Sequence, residues 1–470
     1  MNAEAADVKK RRWTLFAVAM SALMIYWTNG GLQIALPVIA REFGVKAGDA
    51  STIVMVYYLA LGVLTLPFGR LGDSIGHDKV FRTGIAAGTV LSVIAPFAAR
   101  SLSLLVLMRI LSGIALSMCL AVTQAILVTV FPPEARGKIL GINSTMIAAS
   151  GMLGQFLGGV AAEHGGWRIL FLLPVPLGVA GFLAAKKYLN GFPASHKKVD
   201  YPGAFFIIVF LTALTLILKK AAIMSSSMLT GMVAAAVVSL LVLIWWEGKA
   251  ENPLLALKLF RLRGFSVGYI LMCGCYIVAA VIQTAIPFYL QQTKGVSTSV
   301  SGGIALIFTL TMVLLAPTFG SLSDRLGVRK IALSGILCQS VFVFCYAMLN
   351  EKTPLVLVAV VLFLFGLGSA MFYSPNASAV MGSVPKENVG MASGMSSAVR
   401  SIATSIGQNV FSILIAWRTA AHATETLSEG MEFLKAQHET VLIMTGLLLV
   451  LLVTGFFLLP GRRGKENSTN

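Results

Sequence analysis

The stretch GSLSDRLGVRK, residues 320–330, sets Asp324, Arg325, Arg329 and Lys330 between two long apolar runs of a chain that otherwise avoids charge. It has a twin in GRLGDSIGHDK, residues 69–79; both share Gly-x-Leu-x-Asp-x-x-Gly and end in Lys. The two lie 251 residues apart, and other echoes keep nearly that spacing. QIALP at 33–37 answers QTAIP at 283–287, offset by 250. Pro132-x-Glu134-x-x-Gly137-x-x-x-Gly141 answers Pro385-x-Glu387-x-x-Gly390-x-x-x-Gly394, and Gly154-Gln155 answers Gly407-Gln408, both offset by 253. A single echo is weak in a chain rich in Gly and Leu. Four in one order at a shared offset indicate an internal duplication.

The runs around these motifs are membrane-length. Of 470 residues 57% are hydrophobic and 12% charged, about half the charge of a soluble protein, and a spanning helix takes ~20 apolar residues. The pattern predicts fourteen spans, near 13–39, 51–68, 81–99, 103–131, 139–162, 167–185, 201–218, 227–246, 265–290, 301–319, 331–349, 354–382, 391–416 and 440–460. The run from Trp13 to Ile39 is too long for a cleaved signal peptide and reads as the first span. Cys119, Cys273, Cys275, Cys338 and Cys345 all fall in apolar runs, which suggests neither a disulfide framework nor a metal site.

In a soluble chain the net charge of +17 would suggest a nucleic-acid partner; here it reads first as topology. Of 36 basic residues, 24 fall on the side of the N-terminus, 10 on the other, and Arg109 and Arg400 lie inside spans. Basic loops stay in the cytoplasm. Both termini are therefore expected there, in a multi-pass protein of the cytoplasmic membrane. The duplication divides the chain into a six-helix bundle at 1–187, two inserted helices with linkers at 188–264, and a second six-helix bundle at 265–470. Parallel repeats of this kind are related by an axis along the membrane normal, and one bundle rocks against the other about a central site.

These residues resemble the major facilitator superfamily, specifically its fourteen-helix drug/proton antiporter branch, over essentially the whole chain. Residues 69–79 and 320–330 match its cytoplasmic loop motif, RILSG at 109–113 its helix-4 motif, and WRILFLLPVPLG at 167–178 and ENPLLALKLFRLRGF at 251–265 segments of that branch. The resemblance implies an all-α fold of two pseudo-symmetric bundles plus two inserted helices. It also implies a gating role for Asp73 and Asp324, with Gly69, Arg70, Gly320, Arg325 and Arg329 of the same loops, while Glu134 and Arg400 join the gating or coupling candidates by their own placement. The Asp of each loop would sit on a neighbouring helix dipole, and the basic residues would pair across the bundle interface. Two positions depart from the branch. Thr28 stands where an Asp is usual in helix 1, and Gln155 stands where the helix-5 motif has Pro.

The deficit in acid is general. None of the nineteen acidic residues and none of the five His falls in the middle of a span, although a proton relay normally needs a titratable group in the path. Protons remain the candidate coupling ion, through Asp73 or Glu134 on one face or Glu163 with His164 on the other. Arg109 and Arg400 each cost ~2.5–3.5 kcal/mol if central, so each should face a cavity or a partner. Candidate substrate-binding residues are Asn29, Gln33, Tyr57, Arg109, Gln124, Gln155, Tyr276, Gln283, Tyr373, Asn376 and Gln408. Gln33 with Gln283, and Gln155 with Gln408, are repeat-related and are expected to meet near the axis. Residues 418–439 are expected to form a short surface helix over the outer mouth.

Together these readings describe a monomeric secondary transporter of small neutral or anionic amphipathic molecules, multidrug-like and working outward, with lipid as its surroundings. Ion-coupled uptake or exchange of an organic anion is the alternative, and a receptor-like member that does not transport is a more distant one. No nucleophile, metal set or acid–base pair lies within a span, which speaks against an enzyme, and nothing resembles a nucleotide-binding loop or asks for a cofactor.

Overall fold

The structure, a computed structural model, describes residues 2–132, 136–192, 200–220, 226–249, 257–385, 389–422 and 429–459. Glu134 lies outside them, and Asp324 is placed on its helix without a described side chain. The first half comprises α1 (Asn2–Phe43), α2 (Ala47–Ile75), α3 (His77–Ala98), α4 (Leu102–Val130), α5 (Arg136–Gly165), α6 (Ile169–Leu172) and α7 (Val175–Tyr188). The inserted pair is α8 (Tyr201–Lys220) and α9 (Ser226–Lys249), and a 3-10 turn at Leu257–Arg261 leads into the second half. That half comprises α10 (Arg263–Phe288), continued by a π-helical turn at Tyr289–Thr293, then α11 (Thr298–Leu326), α12 (Val328–Ala347), α13 (Leu355–Gly382), α14 (Val389–His422) and α15 (Glu429–Leu458).

Helices are what a chain this apolar must form in lipid, where every backbone N–H and C=O needs an internal partner. Among the described residues twelve segments are long and apolar enough to span, counting α6 and α7 as one. The remaining two predicted spans are α8, with a shorter apolar stretch at Pro202–Leu214, and α5, which Gly, Gln and Glu dilute. The sixth span breaks after Leu172 because Pro174 and Pro176 open α7. The repeated motif ends in Gly76 and Gly327, at φ 106° and 95°, a backbone region that costs side-chain-bearing residues strain. Each turns one helix into the next within a single residue. The surface helix expected at 418–439 is not separate. α14 runs on to His422 and α15 starts at Glu429, because Phe433, Leu434 and Ala436 continue the buried face of α15.

The helix pairings repeat. In the first half α1 packs on α5 and α7, α2 on α4, and α3 on α4 and α7; in the second α10 packs on α14 and α15, α11 on α13, and α12 on α13 and α15. Between halves α2 lies against α14 and α5 against α11, while α8 rests on both α2 and α14. One end of the molecule carries the α1–α2 turn and is called distal; the motif turns at Gly76 and Gly327 lie at the other, proximal end. In the largest hydrophobic core, Ile34, Leu36, Ala40, Ala50 and Val54 of the first half join residues of α10–α15. All five sit in the distal parts of α1 and α2. Toward the proximal end the halves keep separate cores, one around Phe81 and Leu120, the other around Phe265 and Val380.

Candidate functional site

At the seam between the halves, proximal to the shared core, lies a narrow cleft. Its polar lining is Ser21 and Tyr26 of α1, Thr123 and Gln124 of α4, Asn143 of α5 and Ser397 of α14. Asn143 is 4% exposed, and its Oδ1 has no hydrogen-bond partner. One turn along α14 from Ser397, Arg400 donates from Nη2 to Tyr26 Oη at 2.9 Å and lies over that ring at 5.7 Å. Tyr276 and Tyr373 stack beside it, centroids 4.4 Å apart and planes 29° apart. The Tyr373 hydroxyl is buried without a partner.

Arg109 sits elsewhere, 2% exposed. It donates from Nη2 to Asn29 Oδ1 and from Nε to the Ile53 carbonyl at 3.4 Å. Its guanidinium lies 4.0 Å from the centroid of Tyr57 and 6.0 Å from that of Phe171. Tyr57 in turn donates to the Ile25 carbonyl at 3.1 Å, and so does Asn29 Nδ2 at 2.6 Å. Asn29, Tyr57 and Arg109 thus bind α1, α2 and α4 together and present no surface to the cleft. Asn376 is another tie: 1% exposed, it donates to the Gly268 carbonyl at 3.0 Å and joins α13 to α10.

The repeat-related amides do not meet one another. Gln33 reaches Thr284 Oγ1 at 3.4 Å, and that hydroxyl donates to Gln408 Oε1 at 2.7 Å. Gln155 Oε1 accepts from Thr309 at 2.9 Å, across the α5–α11 seam. Helical geometry explains the difference, since neighbouring positions point about 100° apart, so Thr284 rather than half-buried Gln283 faces α1. These threonines escaped the sequence reading, although Thr284 stands beside Gln283 within QTAIP. Only Gln124 among the predicted amides lines the cleft.

The distal seam is closed by small residues and backbone contacts. A Cβ on Gly158 would lie 2.4 Å from the Cα of Gly31, and one on Gly159 would lie 2.8 Å from the Thr298 carbonyl. Ser405 and Ser412 of α14 donate to the carbonyls of Met55 and Gly48 of α2, at 3.0 and 2.8 Å. Glu163, at the end of α5, accepts from the backbone N–H of Ser299 in the first turn of α11 at 2.8 Å. Hydrogen bonds from Ser299 and Ser297 hold this carboxyl below its ordinary range. The place of Glu163 at the end of this helix was expected from the sequence; its reach across the seam to Ser299 was not legible there.

At the proximal end the motif residues hold their own halves. Asp73 pairs with His77 Nε2 at 3.1 Å and Arg70 Nη1 at 3.7 Å; Arg329 donates to the Phe456 carbonyl and lies 5.4 Å over that ring. Gly320 lets α11 approach Ser374 of α13, where a Cβ would lie 2.8 Å from the Ser374 hydroxyl, whereas a Cβ on Gly69 would make only ordinary contact with α4. Arg325 is exposed at the end of α11.

The sequence profile of the Major Facilitator Superfamily matches residues 18–408 and again 268–469, the second match starting near the predicted repeat boundary. The chain is 28% identical over 453 residues to the riboflavin transporter RibZ of Clostridioides difficile, covering 96% of this chain and 98% of that one. It is 29% identical over 413 residues to the multidrug resistance protein Stp of Mycobacterium tuberculosis, covering 87% and 76%. Its fold superposes on a bacterial homologue of the human lysosomal transporter Spinster, in an inward-facing and unoccupied conformation, with a TM-score of 0.70 at 14% identity, over 95% and 96% of the two chains. With the profile matched across nearly the whole chain and the bundle pairing repeated, this protein belongs to the Major Facilitator Superfamily, as a multi-pass membrane transporter.

Proposed function

We propose that the protein exports small amphipathic organic molecules, neutral or anionic, across the cytoplasmic membrane by alternating access. The observation that carries the reading is the asymmetry of the seam: a polar cleft toward the proximal end and a shared core with backbone-close contacts at the distal end. With the basic loops and both termini in the cytoplasm, that arrangement is the inward-open state of a rocking-bundle cycle. The two bundles at 1–187 and 265–470 are the rigid bodies of the motion, and α8–α9 ride on one flank. The motif loops would exchange their ties within each half for ties across the seam when the proximal end closes. The chain is read as working alone, with protons as the coupling ion through Asp73 or Glu163.

A second reading has its own support. The similarity to a riboflavin transporter extends over 98% of that protein, which favours a flat, hydrogen-bonding solute, and the alternative is ion-coupled uptake or exchange of an organic anion. Purified protein in liposomes separates the two: an imposed pH gradient should drive riboflavin or a drug-like neutral compound against its concentration in one sense only. Flux indifferent to every imposed pH and sodium gradient removes ion coupling, and ethidium transport that no anion competes with removes the neutral-or-anionic selectivity.

A further inference from the structure

We propose that the region beside the cleft, where Arg400 meets Tyr26, is a subsite for a planar aromatic monoanion, with Arg400 taking the negative charge, the Tyr276–Tyr373 pair flanking the ring, and Asn143 Oδ1 on the cleft wall accepting a hydrogen bond from the ligand's other end. This deepens the transporter reading and rests on it. Of the two cations within spans, Arg109 is closed to a ligand. It is 2% exposed, Asn29 and a backbone carbonyl accept from its Nη2 and Nε, and Tyr57 and Phe171 lie against its guanidinium.

Arg400 is different in kind. It is half-buried, one helical turn from Ser397 on the cleft wall. The groups around it are phenols: Tyr26 at 2.9 Å, with Tyr58 and Tyr276 facing the same charge. A guanidinium carries five N–H donors, and neutral hydroxyls leave its charge uncompensated. The sequence puts no Asp or Glu in the middle of any span. In a site of low dielectric such a charge selects an anion, and its planar fork matches a carboxylate or sulfonate by two parallel hydrogen bonds.

The remaining polar groups shape the rest of the ligand. Asn143 Oδ1, buried and unpartnered on the cleft wall, calls for an N–H or O–H. The Tyr373 hydroxyl, also unpartnered, supplies another donor or acceptor next to the stacked rings.

The test uses the full-length protein in detergent and three probes on one ring system: 6-hydroxy-2-naphthoate, its neutral amide, and the trimethylammonium analogue. Equilibrium binding should rank the anion at least tenfold above the amide, with the cation weakest. Arg400→Gln should lower anion affinity at least tenfold and leave the amide within threefold, whereas Arg400→Lys should keep most of the preference. Asn143→Leu should weaken the hydroxylated anion but not 2-naphthoate. The wild-type ranking needs no variant, so a misfolded Arg400→Gln does not rescue the idea. Binding of the cation as tightly as the anion, an unchanged ratio in Arg400→Gln, or no saturable binding of any probe overturns it. Anion binding that depends on Arg400 without exchange across liposomes keeps the subsite and rejects the transport reading.

Discussion

At the residue scale the buried cation on α4 sets the terms. A guanidinium in lipid-embedded protein must find acceptors or retreat to an interface, and Arg109 finds Asn29, a carbonyl and an aromatic face. Asn29→Ala removes the side-chain acceptor while leaving the charge in place. Loss of a hydrogen bond to a buried charge costs about 1–3 kcal/mol, so thermal unfolding of the purified variant should shift down clearly. Tyr57→Phe keeps the ring under Arg109 and loses the hydroxyl's bond to Ile25, and should shift it by less. The motif RILSG marked Arg109 as special from sequence. Its partner was not legible, because Asn29 lies eighty positions earlier on another helix and nothing local says which way either side chain turns.

At the scale of elements α5 serves two neighbours at once. Gly158 fits against α1 and Gly159 against α11, as in membrane interfaces where small residues admit backbone contact. Gly158→Val would drive a side chain into the Gly31 backbone. Overpacking of this kind costs ~1–3 kcal/mol even in adaptable cores, and here the obstacle is main chain, so a large fall in melting temperature is expected. The Gly-rich motif was visible in sequence, but its division between two interfaces required the helix phase.

The carboxylate at the end of α5 adds a pH dependence. Because Glu163 is held below its ordinary range, its contact with α11 has full strength above that range. It weakens as pH falls through the lowered value. Spin labels at Arg41→Cys and Gln292→Cys, on the distal ends of the two halves, should report a wider distance distribution in acid. In Glu163→Gln the distribution should already be broad at neutral pH and no longer respond. A distance that ignores both pH and the substitution would deny the contact any part in closing that end.

For the whole molecule the duplicated motifs anticipated the paired bundles and the apolar runs the fourteen segments, since an internal offset and run length are properties of sequence alone. What lies between the halves was not legible, because it depends on how two similar surfaces meet. The Gly48–Ser412 contact offers a direct check on their motion. A Cβ on Gly48 would stand 3.2 Å from Ser412 Cα and 3.0 Å from its carbonyl oxygen, tighter than a relaxed disulfide, so a bridge here forms with a small outward shift of α14. The double variant Gly48→Cys, Ser412→Cys should oxidise readily, stop exchange across liposomes, and regain it on reduction. Full exchange with the bridge intact would mean that the distal seam never parts.

The inserted helices break the twofold likeness of the body. α8 sets Ile207 and Leu211 against Val63 and Ile402, so it shutters the flank where α2 meets α14, while among the described residues no element lies over the α5–α11 flank. A solute dissolved in the bilayer therefore meets a third helix on one flank and only the α5–α11 contact itself on the other. Bulky side chains placed along α5 and α11 would obstruct lateral traffic that the same changes along α2 and α14 would leave untouched.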